Sequence, residues 1–245
     1  MTRDIATLAV VIPAWNEELR IGATLDCLLA DGAALDIEEV IVVNDGSTDG
    51  TAAVVRERAA SHHGVPRIRL IEHDQNRGKG AALRTGLGAA TAPLVGFIDA
   101  DLSVGPASFA EASRMIASGA DVVVGYRVSA DGRTDGAGQP ALRRMLSLLF
   151  KRVQRRITGL PIRDTQCPFK LFTGDAVARV LPHCTANGWG FDVEVLLIAS
   201  RASLRIEEIP VQWQFVGGST VRANPRTVWR TLRELIAIRR LHGSA

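Results

Sequence analysis

Short apolar runs recur along the first half of the chain, each followed by a turn and a helical pattern. Leu8-Ala9-Val10-Val11-Ile12, Val40-Ile41-Val42-Val43, Ile68-Arg69-Leu70-Ile71, Leu94-Val95-Gly96-Phe97-Ile98 and Asp121 to Gly125 are rich in β-branched residues and predict strands. Continuous apolar runs suit parallel strands buried on both faces. Helices are predicted between them: from about Glu17 to Ala30, after Ser47-Thr48, from the turn Asn76-Arg77-Gly78-Lys79-Gly80 to about Ala90, and near Pro106 to Ser118. Ser47 or Thr48 is suited to cap the second of these, with Asp49 in its first turn. The alternation predicts an α/β, Rossmann-like fold with a mostly parallel sheet flanked by helices.

After Tyr126 the regularity breaks. Ser129 to Pro140 is rich in Gly and Asp and predicts a mobile loop. From Leu142 to Leu160, apolar residues follow helical spacing and cations cover the opposite face. Arg163 to Phe172 is expected to be extended, Phe191 to Ala202 helical, Leu204 to Phe215 a strand and Arg226 to Leu241 a closing helix. Trp213, Trp229 and the apolar face of that last helix are assigned to the core. No internal repeat or interdomain linker stands out. One domain is expected over residues 1–245.

Composition narrows the classes. The chain has 245 residues, 47% of them hydrophobic, enough for one sizeable core. No run of 18 apolar residues predicts a membrane span, and the N-terminus is unlike a signal peptide. Cys27, Cys167 and Cys184 lack metal-type spacing and fit reduced thiols in a cytoplasmic protein. A net charge of +3 is too small to imply nucleic acid, but its distribution is uneven. No acid lies between Asp135 and Asp164, whereas Arg143, Arg144, Lys151, Arg152, Arg155, Arg156 and Arg163 do.

The candidate chemistry starts at Asp99-Ala100-Asp101, which closes a buried strand. Residues two apart on a strand share a side, so two carboxylates meet where open α/β sheets bind ligands. Oxygen ligands of that kind suit Mg²⁺ or Mn²⁺ shared with a diphosphate; the plainer reading is a pair of loop acids. The turns Ile12-Pro13-Ala14-Trp15-Asn16-Glu17-Glu18 and Val43-Asn44-Asp45-Gly46-Ser47-Thr48-Asp49-Gly50 leave the first two strands at that same edge. Asp45 is placed to accept from a ribose diol or base N–H, or else to serve the turn. Lys79, at a helix start, brings a cation and backbone N–H groups towards a phosphate. Neither a P-loop nor a G-x-G-x-x-G motif is present.

Taken in order, Val11-Ile12-Pro13-Ala14-Trp15-Asn16-Glu17-Glu18, Val43-Asn44-Asp45-Gly46-Ser47-Thr48-Asp49, Asn76-Arg77-Gly78-Lys79-Gly80-Ala81 and Asp99-Ala100-Asp101 resemble the motifs of family 2 glycosyltransferases of GT-A fold. Asp164-Thr165-Gln166-Cys167-Pro168-Phe169-Lys170 is similar to the D-T-Q-C-G-F-K segment of dolichyl-phosphate β-glucosyltransferases and related polyprenyl-phosphate sugar synthases. Trp189-Gly190-Phe191-Asp192-Val193-Glu194 and Gly218-Ser219-Thr220-Val221 resemble their W-x-F-D-x-E and G-S-K-V segments. Pro168 and Thr220 depart from the usual Gly and Lys, and Ser103 from a Gln common in mannosyl-phosphate synthases, which allows for an altered acceptor.

The resemblance implies a nucleotide-sugar-binding half over 1–125 and an acceptor-binding half over 126–245, and it implies roles for single residues. Pro13, Trp15 and Glu17 would line the nucleoside pocket and Asp45 would contact base or ribose. Asp99, Ala100 and Asp101 would carry the metal and donor diphosphate, with Lys79 beside them. Arg127, Arg143, Ser147, Gln166 and Arg222 would receive the acceptor phosphate. Asp192 matches the acid that acts as general base when the acceptor is a hydroxyl. The implied reaction is inverting transfer from a nucleotide sugar, a UDP-sugar favoured over a GDP-sugar, to polyprenyl phosphate. A soluble hydroxyl acceptor and a non-catalytic nucleotide-sugar-binding role are the alternatives. The basic helix is either a solvated surface element or a peripheral contact with the inner face of a membrane.

Overall fold

The computed structural model describes residues 6–128, 155–156, 158–213 and 225–242, the last segment with side chains from residue 233 onward. The elements run β1 (Leu8–Ala14), α1 (Ile21–Asp31), β2 (Ile37–Asn44), α2 (Thr51–Ser61), β3 (Arg67–Glu72), α3 (Lys79–Ala89), β4 (Leu94–Ile98), α4 (Ser108–Ala117) and β5 (Val122–Val128). Then follow β6 (Phe169–Thr173), α5 (Gly174–Val180), a 3₁₀ turn (Leu181–His183), α6 (Phe191–Arg201), β7 (Ile206–Gln212) and α7 (Pro225–His242). The seven strands form one sheet in the order β3-β2-β1-β4-β6-β5-β7. β6 runs antiparallel to β4 and β5, and the remaining pairs are parallel. The expected α/β class and mostly parallel sheet are therefore present. The sheet is continuous across residue 125, because β6 lies between β4 and β5.

Helices cover both faces, which is why the central strands are apolar throughout. On one face Val11, Val43, Phe97 and Phe172 pack with residues of α3, α5 and α6. On the other Val10, Ile12, Val42, Ile98 and Phe169 pack with residues of α1 and α4. Alternate residues of each strand thus feed opposite cores. Gly86 brings α3 hard against the sheet, since a Cβ there would lie 2.3 Å from Val11 Cγ1. Leu235 and Ile238 are buried in the first core, as expected of the apolar face of the last helix. Trp213 is half-buried, with the Arg127 guanidinium 5.9 Å from its ring centroid.

Some expectations are corrected. α1 begins at Ile21, not near Glu17, because Glu17 to Arg20 form a turn closed by Arg20 N–H to the Glu17 carbonyl. Ser47 and Thr48 do not cap α2. Asp49 Oδ1 accepts from the Thr51 N–H at 3.0 Å, and Ser47 Oγ accepts from the Asn16 N–H instead. Asp49 therefore precedes the helix. α5 is a helix the apolar pattern does not predict; Thr173 caps it by accepting from the Ala176 N–H at 3.1 Å. The loop expected over 129–140 lies outside the described residues, as does most of the basic helix expected over 142–160.

Candidate active site at the carboxyl edge of the sheet

β1, β2 and β4 end side by side, and their turns converge there. Asp99 and Asp101 sit just past the last residue of β4, so the turn rather than strand alternation orients them. Leu102 takes a left-handed φ of 52°, and Asp101 Oδ1 accepts from the Ser103 N–H at 2.9 Å. From α1, Thr24 Oγ1 donates to the Ala100 carbonyl at 2.6 Å and anchors the turn.

Lys79 reaches this turn from the first residue of α3. Its Nζ lies 2.7 Å from Asp99 Oδ1, 3.8 Å from Asp192 Oδ2 and 5.1 Å from the Trp189 ring centroid. Asp192, in the first turn of α6, is 1% exposed, and its Oδ1 accepts from Lys170 Nζ at 2.5 Å. Burial would lower the Lys79 pKa, but Asp99 and Asp192 outweigh it and hold the ammonium charged well above the usual lysine range. Burial pushes the Asp99 carboxyl up, against the pull of Lys79.

Glu17 borders the same acids. Arg20 grips it in bidentate fashion, Nε to Oε2 at 2.6 Å and Nη2 to Oε1 at 2.8 Å. Burial raises its pKa, Arg20 opposes the rise, and Asp101 and Asp99 add to it. Pro13 is half-buried and Trp15 is 42% exposed at the rim. An exposed aromatic face on an otherwise polar turn can stack a base.

Asp45 lies beneath this rim with 2% exposure. Its Oδ1 meets His73 Nδ1 at 2.7 Å and accepts from the Arg77 N–H at 3.0 Å, while Oδ2 accepts from the Gly78 N–H at 2.7 Å. The carboxylate is thus engaged within the protein and shapes the glycine-rich turn. The amides at the start of α3 are also committed. Gly80 N–H and Ala81 N–H both donate to the Asn187 carbonyl, at 2.8 and 3.3 Å. The expected phosphate cradle of backbone N–H groups is therefore corrected: Arg77, Gly78, Gly80 and Ala81 amides bond to the protein, and the Lys79 side chain alone turns to the acidic turn.

The segment that supports α3 is itself held from behind. Glu234 on α7 accepts from Gly188 and Gly190 N–H, each at 3.1 Å. Glu194 is fully buried and accepts from the Thr185 and Ala186 amides and the Thr185 hydroxyl, with His242 Nε2 2.9 Å away. Neither Asn187 nor Glu234 carries a local sequence signal. Lys170 does, because an ammonium within Phe169-Lys170-Leu171-Phe172 must find a partner.

Of the residues expected to take an acceptor phosphate, Arg127 gives Nε and Nη2 to Asp164 at 2.6 and 2.9 Å, and Gln166 is half-buried nearby in sequence. Arg143, Ser147 and Arg222 lie outside the described residues.

Among the described residues, no three His, Cys, Asp or Glu side chains gather into a closed metal cage. Asp99 and Asp101 each have one oxygen engaged by the protein, through Lys79 and Ser103. Two carboxylates of this kind fit a hard cation that completes its shell with water and phosphate oxygens.

A model of the family described as "Glycosyl transferase family 2" matches residues 9–181. A dolichyl-phosphate beta-glucosyltransferase of Trichomonas vaginalis is 36% identical over 223 residues, covering 86% of this chain and 65% of that protein. The enzyme of that name from Saccharomyces cerevisiae is 31% identical, covering 95% and 74%, and the human one is 32% identical, covering 86% and 68%. This chain thus spans between 65% and 74% of the length of these three relatives. Among solved structures, glucosyl-3-phosphoglycerate synthase from Mycobacterium tuberculosis, in complex with Mn²⁺, UDP and phosphoglyceric acid, superposes with a TM-score of 0.74. It is 19% identical, covering 98% of this chain and 80% of that one, which establishes the shared fold. With the family model covering most of the chain and the motif residues gathered at one sheet edge, the chain belongs to glycosyl transferase family 2.

Proposed function

We propose that this chain transfers glucose from UDP-glucose to a polyprenyl phosphate with inversion at the sugar. The observation that carries the reading is the cluster of Lys79, Asp99 and Asp101 at the carboxyl edge of the sheet, in a chain 31–36% identical to dolichyl-phosphate beta-glucosyltransferases. Pro13, Trp15 and Glu17 form one wall of the nucleoside pocket, and Asp45 fixes its floor through His73 and the turn at Gly78. Lys79 leaves Asp99 to meet the diphosphate as the donor binds. Asp99 and Asp101 are the residues to hold Mg²⁺ or Mn²⁺, which when bound supplies Lewis-acid neutralisation of the leaving diphosphate.

The acceptor side rests on Arg127, Arg143, Ser147, Gln166 and Arg222. A phosphate acceptor is already anionic at neutral pH and needs no strong base. Holding it in line removes much of the entropic cost of the encounter. Among the described residues no helix is long and apolar enough to cross a membrane. Exposed Ile236 and Leu241, flanked by exposed Arg233 and Arg240, support peripheral contact with an anionic surface, together with the cations of residues 142–160.

A second reading keeps the donor and replaces the lipid by a soluble acceptor. It is favoured by the likeness to a synthase crystallised with phosphoglyceric acid. A hydroxyl acceptor would ask Asp192 to take a proton, and its burial between two lysines weighs against that. The test is a panel of UDP- and GDP-sugars against polyprenyl phosphate and small alcohols, with product mass measured. Glucosylated polyprenyl phosphate formed from UDP-glucose is expected. Turnover only with soluble alcohols would replace the first reading by the second.

A further inference from the structure

Lys170 is a lysine that no solvent reaches. It lies on β6 among Phe169, Leu171 and Phe172, and its exposure is 0%. An ammonium so placed has to be compensated by charge and hydrogen bonds. Nζ donates to Asp192 Oδ1 at 2.5 Å and to the Cys167 carbonyl at 3.0 Å, and stands 5.0 Å from the Phe97 ring centroid. No face of it is open to a substrate.

Its effect reaches the site through one intermediary. Asp192 turns its second oxygen to Lys79 at 3.8 Å, and Lys79 in turn bonds Asp99 at 2.7 Å. Charges therefore alternate from the core to the acidic turn: Lys170, Asp192, Lys79, Asp99. A lysine carries a point charge on a flexible four-carbon stem, so its placement depends on what surrounds it. With Lys170 absent, Asp192 would be a buried carboxylate whose nearest cation is Lys79. Asp192 would then draw Lys79 inward, away from Asp99. Resting on the donor-site reading above, we infer that Lys170 is a positioning residue: it satisfies Asp192 from behind, so that Asp192 aligns Lys79 for the donor diphosphate without capturing it. In this arrangement Asp192 is a bridge between two ammonium groups and not the proton acceptor.

The test uses binding of UDP in the presence of Mn²⁺, measured by calorimetry on the full chain, beside thermal unfolding. Lys170→Met is expected to weaken UDP binding about tenfold and to lower the unfolding temperature. Lys170→Met/Asp192→Leu removes both buried charges and is expected to recover most of the thermal stability, while UDP binding stays weak. Lys79→Met is expected to match that loss, and Lys79→Met/Lys170→Met to be no weaker than Lys79→Met alone, because Lys170 acts through Lys79. Three results overturn the inference. One is UDP affinity recovering together with stability in the Lys170→Met/Asp192→Leu variant, which would make the pair structural only. Another is additive losses in the Lys79→Met/Lys170→Met variant. The third is unchanged UDP affinity with lost turnover in Asp192→Leu, which would restore Asp192 as the proton acceptor. Failure of the unaltered chain to bind UDP at all would strike the donor-site reading itself, not the relay within it.

Discussion

Asp45 and His73 are joined where β2 and β3 end, Oδ1 to Nδ1 at 2.7 Å, and both side chains are buried. The other ring nitrogen of His73 meets Thr85 Oγ1 on α3 at 2.9 Å. One carboxylate thereby ties the end of β2 to β3, to the glycine turn and to the helix that carries Lys79.

Asp45→Ala is therefore expected to cost stability as well as donor affinity. Losing charge-assisted bonds to His73 and to the Arg77 and Gly78 amides should lower the unfolding free energy by about 1.5–3 kcal/mol. Urea denaturation measures it. An unchanged midpoint would mean that the turn holds its shape without the carboxylate.

Asp101→Asn should spare the fold and abolish metal binding. The amide oxygen can still accept from the Ser103 N–H, so stability should stay within about 0.5 kcal/mol. An amide is a poor substitute for a carboxylate towards a hard cation. Electron paramagnetic titration with Mn²⁺ is the check, and transfer by the unaltered chain should stop on chelation with EDTA. Normal Mn²⁺ uptake by the variant would remove Asp101 from the metal site.

Gly80→Ala should loosen α3 from its support. A Cβ at Gly80 would stand 2.4 Å from the Ala186 carbonyl oxygen and 2.8 Å from Phe191 Cβ. Overpacking of this kind costs about 1–3 kcal/mol, and here the strain falls on the turn that aims Lys79. Gly22→Ala, where the nearest atom would be Val54 Cγ1 at 3.4 Å, should leave both stability and UDP binding intact. Similar thermal shifts in the two variants would refute the close approach.

The three thiols should differ in reactivity. Burial pushes Cys167 and Cys184 up to about 12, so at pH 8 almost no thiolate is present at either. Cys27 is half-buried; burial and then Asp31 raise it by a smaller amount. Iodoacetamide at pH 8 should therefore label Cys27 slowly, and the other two only after denaturation, as read by peptide mass spectrometry. Native labelling of Cys167 would reveal that the surroundings of Lys170 open.

What the chain order revealed and what it hid have physical causes. β1, β2 and β4 were legible because burial on both faces demands unbroken apolar runs, and the turns after them carry the acids that define the site. α5 has no clear sequence signature because it is short and starts from a Thr173 cap that follows a strand without a break. The cap of α2 is ambiguous in sequence because Ser47, Thr48 and Asp49 compete for one role, and only the approach of Asn16 engages Ser47 elsewhere. Lys79 was recognisable from its glycine neighbours, but the destination of the amides around it was not. Asn187 accepts them from far along the chain, and nothing near Gly80 announces such a partner. Lys170 stood in plain view as a charge in an apolar strand, yet its partner Asp192 lies 22 residues away on another element.

The bond from Gly80 to the Asn187 carbonyl bears on how members of this family can be recombined. A hybrid spliced after β5, joining residues 1–128 of one parent to the remainder of another, would seat α3 on a foreign 184–190 segment. The misfit would fall on the start of α3, the residue pair Lys79 and Gly80, where the helix meets the acidic turn. Residues 184–190 and Glu234 belong structurally with residues 78–81, and a swap has to keep them from one parent.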